Sequence, residues 1–135
     1  MTIHLSTVKL NRVITEFNEE YGHDGNTQVQ LLRVNKILVL KIKGNLSDFD
    51  SGELLAKVYP LGLYDKIVCF IIELSQCTEL GSQSTGFLMC FMSYMKSKGG
   101  KNVLVKPNDS IRDSFEILNN DNIFVIQDTM DDASL

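Results

Sequence analysis

The stretch "KIVCFIIEL", Lys66 to Leu74, constrains the fold more than any other part of this chain. It is apolar almost without interruption and rich in β-branched residues, and it shows no alternation between apolar and polar positions. A strand with water on one side alternates; a run like this one suits a central strand covered on both faces, as in a parallel sheet. The chain then passes through the polar stretch "SQCTELGSQST" into the apolar "GFLMCFMSYM", which reads as a polar turn opening a helix that runs to about Lys98. The doublet Gly99-Gly100 stops that helix.

The flanking segments fit the same plan. Leu10, Val13, Ile14, Phe17 and Tyr21 fall at three-and-four spacing and mark one face of a helix from Ser6, its candidate cap, to Tyr21. The glycines and polar residues of "YGHDGN" then read as a loop. This divides the chain into an N-terminal helix and linker, residues 1–26, and a domain over 27–135. The domain opens with "TQVQLLRVN" and "KILVLKIKG", two strands joined at Asn35-Lys36 as a hairpin. A modest helix is expected from Asp48 to Tyr59, with Leu54, Leu55 and Val58 buried and Pro60 closing it. After the central strand and its helix come the strand "KNVLVK", the helix "DSIRDSFEILNN", the strand "NIFVIQ" and an acidic tail. The order β-β-α-β-α-β-α-β describes an α/β sandwich whose last strands run parallel, because a helix-length crossover separates each from the next. With 135 residues and 44% hydrophobic content, the chain has enough apolar material for one core.

Charge and composition exclude several function classes. The formal net charge of −4 offers no basic field for a nucleic acid backbone. Lys96, Lys98 and Lys101, the densest basic cluster, read as a solvated helix end. No apolar run near the N-terminus is long enough for a signal peptide or a membrane span, so a cytoplasmic protein without membrane insertion is expected. Cys69, Cys77 and Cys90 are odd in number and form no C-x-x-C pair, which argues for reduced thiols rather than a disulfide framework or a zinc site. His4 and His23, the two histidines, both precede the β/α core, so neither a catalytic triad nor a metal centre is expected, and no cofactor is implied.

The loop Gly81-Ser82-Gln83-Ser84-Thr85-Gly86 concentrates what chemistry remains. Its glycines have the spacing of a P-loop, but Phe87 and Leu88 stand where that loop needs lysine and a hydroxyl residue to hold phosphates and magnesium. A nucleophile elbow around Ser84 fails because Ser82 replaces the preceding glycine. Two readings stay open on local chemistry: Ser82 or Ser84 is simply the helix cap, or a serine at the helix start accepts a phosphoryl group beside unpaired N–H groups and the positive end of the dipole.

From near Gln28 to Ala133 the chain resembles the STAS domain family, which includes bacterial anti-sigma-factor antagonists. The family's Gly-x-Leu-Asp motif after the second strand stands here as Gly44-Asn45-Leu46-Ser47, followed by Asp50-Ser51-Gly52-Glu53-Leu54. Its Asp-Leu-Ser segment and Asp-Ser-x-Gly-x-Gly helix opening stand as Glu73-Leu74-Ser75 and Gly81-Ser82-Gln83-Ser84-Thr85-Gly86. Gly99-Gly100, the strand Val103 to Val105 and "NIFVIQDTMDDA" follow in order. The resemblance implies a STAS-like sandwich of a mixed four- to five-stranded sheet with helices, here with an extra N-terminal helix.

It also implies a non-enzymatic regulator that switches partners. The unphosphorylated antagonist binds an anti-sigma factor serine kinase and frees a sigma factor; phosphorylation, matched here to Ser82, releases it, and a phosphatase resets it. The implied partner surface comprises Ser47, Gly81, Gln83, Ser84, Thr85 and Phe87. Ser47 and Gly81 stand where the family carries acidic residues, and Ser84 where it usually carries glycine. The family also contains scaffolds and small subunits of signalling or transport complexes, which is the alternative function; an enzyme using Ser82 or Cys77 is a third. Two features lie outside the family pattern. The helix after Ser82 has one apolar stripe at Leu88, Phe91, Met92 and Met95 and a second at Phe87, Cys90 and Tyr94. The second is either covered by a neighbour, such as the helix Ser6 to Tyr21, or exposed to dock a partner. That N-terminal helix itself suits a packing cap, a homodimer contact or a partner-binding arm.

Overall fold

The computed structural model describes residues 7–21, 27–46, 67–118 and 122–129. Helix α1 (Thr7–Tyr21) leads into the hairpin β1 (Thr27–Val34) and β2 (Ile37–Leu46). Then follow β3 (Cys69–Leu80), α2 (Ser82–Ser97), β4 (Lys101–Val105), α3 (Asp109–Leu118) and β5 (Val125–Gln127). The strands form one five-stranded sheet in the order β1-β2-β3-β4-β5. β1 and β2 are antiparallel, while β2, β3, β4 and β5 run parallel to their neighbours. The expected helix from Asp48 to Tyr59, the candidate cap Ser6 and the acidic tail beyond Thr129 lie outside the described residues.

The central run behaves as its composition demands. Cys69 to Leu74 are all buried, and alternate side chains serve opposite faces of the sheet. Phe70, Ile72 and Leu74 join Leu38, Leu40, Ile42 and Leu104 in the larger core cluster, beneath the helices. Ile71 and Cys69 join Val39, Val103 and Val105 in a second cluster on the other face. α1 contributes Ile14 and Phe17 to the larger cluster, α2 contributes Leu88, Phe91, Met92 and Met95, and α3 contributes Ile111 and Phe115. Phe91 meets Phe70 edge to face, with ring centroids 4.5 Å apart, a geometry that aromatic quadrupoles favour.

α1 packs on β1 rather than on α2. Its Asn18 amide receives a hydrogen bond from the Leu31 N–H at 2.7 Å and donates one to the Leu31 carbonyl at 2.8 Å. One side chain thus satisfies both outward-facing backbone groups of an edge residue, where an added strand would otherwise pair. Of the roles the sequence leaves open for this helix, packing is the one its contacts show.

The loop signals are placed as expected where backbone conformation decides them. Asn35 turns the hairpin with φ 55. Gly99 has φ +84, and N–H groups of Gly99 and Gly100 return to the carbonyls of Lys96 and Met95, both at 2.9 Å. This is a Schellman ending, and glycine reaches it without steric cost.

One expectation needs correction. The polar residues after Leu74 are not a turn: β3 continues to Leu80, and β2 continues past Gly44 to Leu46 beside it. The register shifts between Lys41 and Lys43 and again between Gly44 and Asn45, where Gly44 takes φ 86. Only Cys77 is buried among residues 75–79, so this end of the strand reads as polar because little covers it.

Candidate functional site

The extended ends of β2 and β3 build the platform for the loop at Ser82. The Leu46 carbonyl accepts two hydrogen bonds, from the Gly81 N–H at 3.1 Å and from the Ser84 hydroxyl at 3.0 Å. Asn45 Nδ2 donates to Glu79 Oε2 at 3.1 Å across the same two strands. On the other side Asn108 donates to the Thr78 carbonyl at 3.1 Å, while its Oδ1 caps α3 by accepting from the Ile111 N–H at 2.9 Å. The start of α2 is thereby held to β2, and the end of β3 that leads into it is held to β2 and to Asn108.

Within this frame the two serines have opposite environments. Gly81 is the helix cap residue, with extended backbone and no side-chain cap bond, which removes the first of the two open readings, that Ser82 or Ser84 is the cap. Ser82 is the first helical residue and is exposed, and its hydroxyl makes no hydrogen bond to any described residue. Gly81 thus leaves the first N–H groups of α2, at the positive end of its dipole, without a side-chain cap. Ser84 is fully buried and Thr85 nearly so. The Thr85 hydroxyl donates to the Gly81 carbonyl at 3.0 Å.

This geometry sorts the sequence-based site residues. Ser84 and Thr85 do not offer a contact surface, because their side chains are hidden and committed to the Leu46 and Gly81 carbonyls. They hold the loop instead. Gln83 and Phe87 are exposed beside Ser82, Gly81 is half-buried, and Ser47 lies outside the described residues. Ser82, Gln83, Gly86, Phe87 and Cys90 line a shallow, mainly apolar groove. Gly86 forms its gap: a Cβ added there would meet nothing within 4 Å. Gly86 is missing from the expected surface and Cys90 enters it only through the second apolar stripe, although the four-residue steps from Ser82 to Gly86 to Cys90 place all three on one helix stripe.

The groove also answers the question of the second stripe. Phe87 is 37% exposed, Cys90 is exposed and Tyr94 is half-buried, so α1 does not cover them. Of the alternatives that used a nucleophile, Cys77 is disfavoured by its own setting. Burial pushes its thiol up to about 11, against a smaller opposing effect of its 3.6 Å hydrogen bond to the Glu79 carbonyl. A thiolate there is scarce at neutral pH. Burial likewise raises Cys69, partly offset by Lys101. His4 and His23 lie outside the described residues, and no described acidic side chain bonds the Ser82 hydroxyl.

Among the described residues, a mixed sheet with its helices packed on one face and a serine exposed where a parallel strand passes into a helix defines an α/β fold of the SpoIIAA type. The chain belongs to the STAS domain family, whose model matches residues 28–133. Solved structures share the architecture at low identity. The unphosphorylated anti-sigma factor antagonist SpoIIAA aligns with a TM-score of 0.66 at 18% identity, covering 78% of this chain and 94% of that one. SpoIIAA of Bacillus in its phosphorylated form aligns with a TM-score of 0.65 at 15% identity, covering 78% and 96%. An anti-sigma factor antagonist from Mycobacterium paratuberculosis aligns with a TM-score of 0.67 at 18% identity, covering 80% and 91%. Compared with curated proteins, the chain has no matching relative.

Proposed function

We propose that this protein is a non-enzymatic, cytoplasmic anti-sigma-factor antagonist that regulates transcription by switching partners. It binds an anti-sigma factor serine kinase through the groove of α2, and phosphorylation of Ser82 ends that binding until a phosphatase restores the hydroxyl. The observation that carries this reading is the free, exposed Ser82 hydroxyl at the rim of an exposed apolar groove. A partner seated on Gly86, Phe87 and Cys90 would desolvate Ser82. A phosphoryl group brings about −1.5 to −2 charges at neutral pH, and burying them without a cationic partner costs more than such a contact supplies. Before release the same group gains from the positive end of the helix dipole, whose first N–H groups no side chain caps. The likeness to SpoIIAA, which is known in phosphorylated and unphosphorylated forms, supports the assignment.

Incubation with an anti-sigma kinase and ATP, followed by mass spectrometry, should place one phosphate on Ser82. Ser82→Ala should block it, and Ser82→Asp should abolish kinase binding. Phosphate found elsewhere, or kinase binding indifferent to Ser82→Asp, would exclude the switch. Gly81 and Ser47 in place of the family's acidic residues favour a second reading, a STAS scaffold in a larger signalling or transport complex. That reading predicts stable co-purification with a partner and no response to ATP.

A further inference from the structure

The sheet face turned away from the described helices carries a feature that phosphorylation of Ser82 does not use. On that face Gln28 lies opposite Lys43 and Gln30 opposite Lys41, while Lys43 is also paired in register with Gln76. These five side chains line a small groove across β1, β2 and β3. Its charge runs against that of the whole chain, which is −4. Among the described residues neither lysine has a hydrogen-bond or ion-pair partner, although Lys41 is half-buried. The nearest acidic neighbour in register is Glu73, beside Lys41, and its Oε1 already accepts the Ser75 N–H at 2.7 Å. Two ammonium groups without a partner among the described residues form, with the Gln30 and Gln76 amides, a site for carboxylate groups: the lysines supply charge, and these amides donate hydrogen bonds without repelling the ligand.

The same face of β1 changes character toward the hairpin. Period-two alternation puts Gln28, Gln30, Leu32 and Val34 on one side of the strand. Leu32 is 47% and Val34 59% exposed, so the polar groove continues into an apolar strip. From the charge and the apolar strip together, we infer that this face docks an acidic, amphipathic segment of a partner protein, its carboxylates on Lys41 and Lys43 and its apolar residues on Leu32 and Val34. Such a segment would approach from the side opposite the α2 groove, so both surfaces of the domain can be occupied at once.

The test uses the full chain and a labelled glutamate–leucine peptide, with a glutamine–leucine peptide as its match and inorganic phosphate as a small-anion control. Fluorescence anisotropy should show binding of the glutamate peptide alone, weakened by added salt and weakened roughly tenfold by the pair Lys41→Gln and Lys43→Gln. The pair Leu32→Ser and Val34→Ser should weaken it independently. In an NMR titration of the unaltered protein the shifts should centre on Gln28, Gln30, Lys41, Lys43 and Gln76. Equal binding of the two peptides, shifts centred on Phe87 and Cys90, or phosphate competing as well as the glutamate peptide would each overturn the inference. No step of the test depends on Ser82, so its outcome is separate from that of the phosphorylation switch.

Discussion

The two sides of α2 share a composition and differ in fate. Toward the sheet, Leu88, Phe91, Met92 and Met95 are almost fully buried, and Phe91 stacks edge to face on Phe70. Away from it, Phe87 and Cys90 reach the surface beside Ser82. Apolar residues on the first side are held by the fold, whereas those on the second gain little from folding and are available to a partner.

The largest effect should come from truncating the inner side. Phe91→Ala should cost roughly 3–5 kcal/mol in a denaturant titration, because it removes a buried ring and leaves a cavity. Phe87→Ala should change stability by less than about 0.5 kcal/mol yet weaken binding of the proposed kinase partner. Similar losses of stability for both would erase the distinction between the two sides.

The thiols permit the same comparison. Cys90 should react with iodoacetamide in the native protein while Cys77 stays protected, as mass spectrometry would show. The raised pKa of Cys77 also has a consequence for stability. Its neutral form is favoured in the folded state, so the contribution is complete below the ordinary thiol range near pH 9 and is lost as pH rises toward about 11. Denaturation curves should therefore fall more steeply over that window for the unaltered protein than for Cys77→Ala, by on the order of 1–2 kcal/mol.

Ser84→Ala should cost about 1 kcal/mol, the usual net worth of one hydrogen bond, because Leu46 keeps its bond from Gly81. Ser82→Ala should be neutral by the same measurement. One effect has the opposite sign: Gly86→Ala fills open space on a helix and should stabilise the fold by roughly 0.5–1 kcal/mol while obstructing the groove. Partner affinity unchanged in Gly86→Ala would remove the groove from the docking surface.

Much of this was legible in the residues. The unbroken run at Lys66 to Leu74 announces a doubly covered strand, and Gly99-Gly100 announces a helix end, because strand burial and left-handed backbone both leave local signatures. The loop around Ser82 was legible through the order of its motifs. The continuation of β3 to Leu80 was not, since its polar residues resemble a turn until β2 is seen alongside them.

By itself the sequence determined the kinds of element, their order and the placement of a serine at the start of an apolar helix, all of which depend on neighbours in the chain. Only the tertiary structure decided which serine is free. Ser84 is removed from the surface by Leu46, 38 residues earlier, and the outer stripe of α2 is exposed because α1 packs on β1 instead. Both outcomes depend on contacts between distant segments, and residue spacing within one helix carries no record of them.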